Sequence, residues 1–453
     1  MARGPDKLIS DTLWPAFVAE RERLNAIDRW YRWDHDEPVS ARQATREHKE
    51  LAKRAQTPLG HLIVTAVAQE LYVEGYRRAE DPEDKAPWRA WQMNGMDARQ
   101  VPLHRTALAY GEATNLVLPG KTTLGEDYAV IRPLSPRQSM TFWADPAVDD
   151  WPHLLLRVEP ARVDGDPGWT LYLYDDGNEW RYTVKSDGSK LAYVERSTHG
   201  VGVCPAVRYA NQMDLEGRHP GEIEPFVPLF GRIDQTTFDR LLVQRYASWK
   251  VRTISGMAKP DNDEDANRTA MSLKIEDLLV SDSPDTKFGT LAETLPNGFI
   301  DATKFDLSLL SAVSQTPSYE LLGDLINLSA EALVAARASL ARKADERKHS
   351  FGKSHEQTIR LMARIMGDFD AAQDWSAQVI WKDTEGRSLG QAADALGKLA
   401  TMLGVPVEML WEKIPGWTQT DVERAKDMVA AGDPISALVA ELDRGMAPDV
   451  GAI

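Results

Sequence analysis

The sequence predicts an α+β protein of more than one domain, on three observations. Stretches with apolar residues at helical spacing fill the first 113 residues and return after residue 230. Between them, residues 114–210 carry short runs rich in β-branched and aromatic residues, bounded by Pro, Gly and Asp. And the 453 residues exceed what one hydrophobic core organises, so about two to four domains are expected.

Taken in order, residues 8–80 read as helical. Phe17, Leu24, Ile27 and Trp30 share one face, and Pro58 opens a second helix. The acidic, Pro-containing EDPEDKAP is a loop. NLVL, DYAVIRPL, SMTFWADP, HLLLRVEP, WTLYLYDD, EWRYTVKS and KLAYVERS then read as antiparallel strands. Asp175-Asp176-Gly177-Asn178 and Ser186-Asp187-Gly188 supply tight turns between them. A connector rich in Pro and Gly follows, over residues 204–232.

Asp234 reads as the N-cap of a rod, with Ile233 and Phe238 at the spacing of a hydrophobic staple. No Pro occurs from there to Ala258. That gives about 25 residues, or roughly 37 Å of helix. Phe238, Leu241, Leu242 and Trp249 are too few to bury it all round, so it should pack against neighbours, copies of itself included. SLKIEDLLV and KFGTLAETL read as strands, with turns at Ser283-Pro284 and Pro296-Asn297-Gly298. A shorter helix runs from Asp301 to Val313, broken after it by Pro317. Ser329 caps a long helix to about Met366, with a bend expected at Gly352. SAQVIWKD is a short strand; Ala392–Leu403 and Thr420–Ala430 are helices, and Pro406–Lys413 is a candidate third.

Composition excludes several classes of function. A formal net charge of −16 argues against gripping nucleic acid through a basic face, though not against letting DNA pass without adhesion. Fourteen Trp suit a buried core or large interfaces. One cysteine, Cys204, allows no intrachain disulfide and no cysteine-rich metal site, and fits a reducing compartment. No apolar run approaches about 18 residues, and the first ten residues lack a signal-peptide core, so neither membrane spanning nor secretion is expected.

Catalytic motifs fail one by one. PGKTTLG at Pro119–Gly125 resembles a phosphate loop, but Asn115 stands where that loop needs Gly. The acidic run from Asp261 begins like a calcium loop, but Ala266 replaces the turn Gly and Ser272 the bidentate Glu. His349 and His355 are six apart and do not share a helix face as a metal pair would. Glu346 and His349 have the spacing of a carboxylate-bridged metal bundle, but no second E-x-x-H accompanies them. No G-x-S-x-G occurs and nothing marks Cys204 as activated. No catalytic, cofactor or metal residues are expected.

The order of elements resembles the portal proteins of long-tailed double-stranded DNA phages, the siphophage-type head-to-tail connectors. Five stretches carry the likeness. WRAWQMNGMDARQVPLHRTALAYGEA resembles the helical segment before that family's β-rich wing, and SPRQSMTFWADP the strand that follows. FGRIDQTTFDRLLVQRYASWKVRTISGMAKP resembles the first stem helix, although Trp249 and the Arg/Lys pairs make it bulkier and more basic than expected. The stretch from Ser308 to Met366 resembles the second stem helix, the tunnel loop with its Pro, and the long helix after it. RSLGQAADALGKLATMLGVPVEMLWEKIPGWTQTDVERAKD resembles the crown-side helices. Together these span most of residues 85–430.

The resemblance implies a portal fold: wing 1–230 (helical 1–113, β-rich 114–210, connector 211–230), stem helices 231–258 and 301–314 and a small β-containing clip 259–300. It further implies a tunnel loop 315–328, a long helix with wing return 329–385, and a crown with tail 386–453. It implies a ring, usually of twelve copies, at one capsid vertex, through which DNA is packaged and ejected. The implied partners are the terminase large subunit, the head-tail adaptor, the major capsid protein and scaffold, and double-stranded DNA passing non-specifically, with no membrane. The implied location is the virion, with the host cytoplasm during assembly. On the same resemblance Gln315, Thr316, Pro317, Ser318, Tyr319 and Glu320 are candidates for the channel constriction. Arg245, Lys250 and Arg252 either line the channel as basic rings or make intersubunit salt bridges. A capsid-associated scaffold or adaptor that forms no ring is the alternative.

Overall fold

The computed structural model describes residues 5–35, 45–79, 81, 84–121, 125, 127–247, 252–255, 287–290, 296–323, 330–384, 389–414, 416–417 and 419–432. The fold is α+β and divides into two compact units. One takes residues 1–31, 60–225 and 329–453; the other takes residues 32–59 and 226–328.

The larger unit is built on two antiparallel sheets. Strands β2 (Glu112–Lys121), β3 (Asp127–Leu134) and β9 (Ala206–Ala210) form the order β3-β2-β9. Strands β4 (Ser139–Phe142), β5 (Leu154–Val163), β6 (Asp166–Tyr174), β7 (Asn178–Lys185) and β8 (Ala192–Thr198) form a meander in chain order. The turn chemistry sets the register. Asp175 accepts main-chain N–H bonds from Gly177 at 2.8 Å and Asn178 at 2.5 Å, and Gly188 holds φ +80° before β8. One face of the meander buries Leu156, Val158, Leu171, Leu173, Tyr182 and Val184. Ile9, Leu13, Trp14 and Phe17 of the N-terminal helical segment cover it. Burying such side chains is worth about 1.5–3 kcal/mol each.

A 37-residue helix, Ala330–Met366, packs across β2, β3 and β9. Its serines close the sheet edge: Ser350 and Ser354 hydroxyls donate to the Ala210 and Arg208 carbonyls at 2.8 and 2.7 Å. A strand edge so capped cannot recruit another strand. The helix runs unbroken through Gly352, where the sequence predicts a bend. A Cβ there would lie 3.5 Å from Trp381 and Val379, so the glycine sits at the contact with strand Gln378–Trp381.

That strand corrects the reading of residues 8–80 as wholly helical. Val73–Arg77 (β1) is a strand, paired antiparallel with Gln378–Trp381. On its other side the Gln100 side chain imitates a neighbouring strand, accepting from Val73 N–H at 2.8 Å and donating to its carbonyl at 2.9 Å. Gly111 ends the helix Met96–Tyr110 at φ +98°. The connector passes so close that a Cβ would meet the His219 carbonyl at 1.8 Å, so only glycine fits.

In the smaller unit the helix predicted from Asp234 begins earlier, at Val227. Pro228 and Gly231 read as connector, yet a Pro in the first helical turn removes an N–H that has no intrahelical partner. The helix is described to Ala247, and Arg252–Ser255 is a strand paired with Lys287–Thr290, so the rod does not run to Ala258. The second helix also starts earlier, at Asn297. The acidic run from Asp261 and the strand SLKIEDLLV lie outside the described residues. The C-terminal helices Leu389–Leu403, Val407–Leu410 and Gln419–Gly432 fall close to where the sequence put them.

Candidate channel elements

The helices Val227–Ala247 and Asn297–Ser314 lie side by side within the smaller unit. Their clasp is a bidentate ion pair. Arg232 Nη2 lies 2.6 Å from Asp306 Oδ1, and its Nε donates to Oδ2 at 3.1 Å. Asp306 is buried and Arg232 half-exposed, so one fork orients both helices. Neither residue stood out in the sequence, because a Coulomb pair 74 positions apart leaves no local pattern.

Asp234 is not an N-cap. It sits inside the helix, buried, with Oδ2 2.7 Å from His35 Nε2 and Oδ1 accepting the Thr57 N–H at 3.2 Å. Burial pushes its carboxyl up, and the His35 bond opposes that. Phe238, further along the same helix, joins Leu51, Ala52 and Ala55 of the helix Arg46–Ala55. The polar and apolar faces are therefore both used within the chain.

The candidate constriction follows directly on the second helix. Gln315 takes the left-handed conformation, φ +57°, and ends that helix. Thr316 and Pro317 turn inward and are buried. The Ser311 hydroxyl donates to the Thr316 carbonyl at 2.7 Å, and Ser314 to the Thr316 hydroxyl at 3.1 Å. Pro317 then precedes a short helix, Ser318–Leu322, closed by Gly323 at φ +72°. Of the six candidates, Gln315 and Ser318 are exposed and Tyr319 and Glu320 half-buried. A non-glycine residue in the left-handed region costs roughly 1 kcal/mol. Gln315→Gly is therefore expected to raise stability by about 0.5–1 kcal/mol, read as a higher urea midpoint; a lower midpoint would show that the Gln side chain itself holds the turn.

The basic candidates separate. Arg245 is exposed and donates to Glu47 of the same chain at 3.2 Å. Such a surface pair contributes little to stability. Arg252 lies on the strand Arg252–Ser255, opposite Thr290, and not on a helix. Lys250 lies outside the described residues.

The rejected motifs have structural reasons. Asn115 is buried in the middle of β2, donating to the Tyr209 hydroxyl at 3.0 Å, and PGK continues that strand. A phosphate loop instead leads from a strand into a helix N-terminus. His355 is buried against His104 and pairs with no His349. Burial pushes the Cys204 thiol up, which leaves it inert. Among the described residues no group of three His, Cys, Asp or Glu could hold a metal ion, and no helix is long and apolar enough to cross a membrane.

The larger unit carries the antiparallel sheets and the long serine-bearing helix, and the smaller unit the clasped helix pair. The chain belongs to the family described as phage portal protein, SPP1 Gp6-like, which it matches over residues 10–433. It is 26% identical over 369 residues to the portal protein of Mycobacterium phage L5, covering 78% of this chain and 74% of that one. The portal protein of Mycobacterium phage D29 is likewise 26% identical over 369 residues, covering 75% of this chain and 71% of that one.

Proposed function

We propose that copies of this chain close head to tail into a ring, of twelve subunits, at one vertex of a phage capsid. The ring is the channel for packaging and ejecting double-stranded DNA. It docks the terminase large subunit during packaging and the head-tail adaptor afterwards, and seats among the major capsid protein and scaffold. The chain itself performs no chemistry. The observation that carries this reading is the family match, which takes in both clasped helices, the turn after them and the long helix.

Two physical features support it. Phe305, Leu309 and Val313, four apart on the second helix, are 70%, 38% and 50% exposed in the single chain. An apolar stripe at that spacing is covered by a neighbouring helix in a stable assembly. Twelve chains of charge −16 carry roughly −190, so DNA would meet no net attraction on its way through. In this reading the clasped helices are the channel wall, and Gln315, Ser318, Tyr319 and Glu320 narrow the passage.

Negative-stain images of the purified full chain are expected to show annular particles. Monomers or irregular aggregates at high concentration, without annuli, would instead favour a capsid scaffold or adaptor that forms no ring. Exchanging Gln315, Ser318 and Glu320 for Ala should leave annuli intact and lower the DNA retained in assembled heads. Loss of annuli would show that this turn holds subunits together.

A further inference from the structure

Several sheet edges of the larger unit are covered. Asn94 closes the outer edge of β3, donating to the Ala129 carbonyl at 2.9 Å and accepting the Ile131 N–H at 2.8 Å. Gln100 does the same for β1, and Ser350 and Ser354 for β9. At one end of the five-stranded sheet β4 is covered by burial, with Ser139 and Thr141 in the interior. The other end is β8, and all seven of its residues are exposed. An edge left bare is a template for an added strand, which is why folds usually cover it.

The ladder says which main-chain groups this edge offers. β7 and β8 pair in the register Trp180↔Arg196, and the His199 N–H donates to the Gly177 carbonyl at 3.0 Å. Bonded residues alternate along an antiparallel pair, so Ser197 and Glu195 also bond to β7. The N–H and C=O groups of Arg196 and Thr198 therefore point away from the sheet. Val194 is an extra residue between Tyr193 and Glu195, a bulge that interrupts the edge on its N-terminal side. The regular stretch is Glu195 to Thr198.

Two side chains on one face of β8 are held in place. Tyr193 meets the Tyr182 ring edge-on, centres 5.6 Å apart, and stays 53% exposed. The Arg196 guanidinium lies over Trp180, 4.6 Å from the ring centre. Its Nε and Nη2 donate to Asn178 Oδ1 at 2.9 and 2.6 Å. Trp180 and Asn178 are uncharged, so they aim the guanidinium without neutralising it. Among the described residues Arg196 forms no ion pair. On the opposite face Glu195 is already paired with Arg181 at 2.7 Å.

We propose that β8 takes an extended segment of a partner protein as an added strand, which pairs with the outward main-chain groups of Arg196 and Thr198 and sets an Asp or Glu carboxylate opposite Arg196. The main-chain bonds are indifferent to sequence. Selection comes from Arg196, since guanidinium and carboxylate meet through charge-assisted hydrogen bonds, and from Tyr193, which offers an apolar ring to a neighbouring side chain. A nucleic acid has no row of alternating donors and acceptors to match the edge. A second copy of the chain offers no bare strand at β1, β3, β4 or β9, because each is covered.

The test is selection of random dodecapeptides by ribosome display on the immobilised full chain, followed by fluorescence anisotropy with the enriched peptides. Enriched sequences are expected to carry an acidic residue within a β-prone run. Exchanging that residue for its amide should weaken binding about tenfold, and Arg196→Gln in the protein should erase the difference between acid and amide. Thr198→Pro removes one outward N–H and leaves the bonds to β7, and should weaken acid and amide peptides alike by about tenfold. Its folding is checked by far-UV circular dichroism, and the acid-to-amide comparison needs no change in the protein at all. Hydrogen exchange read by mass spectrometry should slow over residues 192–198 when the acidic peptide binds. No enrichment, enriched peptides without a carboxylate, affinities indifferent to both variants, unchanged exchange at β8, or displacement by duplex DNA would overturn the proposal. So would a change in oligomeric state with Thr198→Pro, which would place a second copy of this chain on the edge. Annuli are counted for each variant in parallel, so failure of the strand edge and failure of ring formation are read separately.

Discussion

Glu222→Gln is expected to cost about 3–5 kcal/mol of unfolding free energy, because it removes the buried carboxylate that Lys343 and Arg347 share. Glu222 is buried between two side chains of the long helix, 2.6 Å from Lys343 Nζ and 3.1 Å from Arg347 Nη2. Burial alone would push its carboxyl up, but Lys343 and Arg347 hold it below the usual range. Arg347 Nε also donates to Asn211 at 2.6 Å, and Asn211 donates back to Glu222 at 3.2 Å. The amide keeps the shape but removes the charge and turns one acceptor oxygen into a donor facing other donors. Urea unfolding of the full chain, followed by tryptophan fluorescence, measures the loss. A triple exchange, Glu222→Leu with Lys343→Met and Arg347→Met, should lose less than Glu222→Gln, because it removes the desolvated charges together. A Glu222→Gln loss below about 1 kcal/mol would mean that water or neighbouring groups neutralise the cluster.

The second large effect is acid lability from two buried imidazoles. His104 and His355 are fully buried, with their Nε2 atoms 2.7 Å apart. His104 Nδ1 lies 3.2 Å from the Leu71 carbonyl, and His355 Nδ1 lies 2.9 Å from the Tyr209 hydroxyl. One arrangement of protons satisfies all of these. His104 donates from Nδ1 to Leu71, His355 donates from Nε2 to His104, and Tyr209 donates to His355 Nδ1. Both rings are then neutral. Trp91, Phe351 and Trp381 surround them, and no carboxylate is among their bonded partners to stabilise a charge.

Burial lowers His104 to about 4 and His355 well below its usual value, the latter also through the His104 charge. The sign follows from linkage: the unfolded chain takes up protons below its pKa of about 6.5, and the folded chain does not until lower pH. Stability is therefore full above about pH 6.5 and falls by about 1.4 kcal/mol per pH unit for each ring as pH drops toward the folded value. His104→Gln with His355→Gln should remove about two protons from the pH dependence of unfolding between pH 6.5 and 4.5. An unchanged slope would show that the rings are already protonated in the fold. Side-chain ¹⁵N spectra at pH 5.5 check the same point directly, since both rings should still give neutral signals.

The two clusters show where local sequence stops being informative. Helices with an apolar face were legible because the period of burial is the period of the helix: Phe17, Leu24 and Ile27 are all in the core. The strands were legible because their turns are written in Asp, Asn and Gly, which alone take those backbone conformations at low cost. β1 was not, because its pairing partners are Gln100 and a strand 300 positions on, and neither affects the local pattern. The start at Val227 was missed because Pro228 and Gly231 look like connector, although a first turn accepts them. Asp234 has the chemistry of a cap, but its proton partner is His35, and only folding brings the two together.

For the candidate site the division is the same. The turn at Gln315–Glu320 was marked by Pro317, which lacks the N–H that a continuing helix would need. The clasp of Arg232 on Asp306 was not marked, nor was the same-chain pairing of Arg245 with Glu47. The sequence by itself determined the class of fold and the succession of helices and strands, since these rest on periodicity and turn chemistry repeated along hundreds of residues, and it pointed to the family through five stretches that resemble portal proteins. Only the tertiary structure decided which polar residues are buried and what they hold: Glu222 with its two cations, His104 on His355, and Arg208 on Trp143. Hydrogen bonds and ion pairs act over a few ångströms, and a single chain dimension cannot say which residues those ångströms will join.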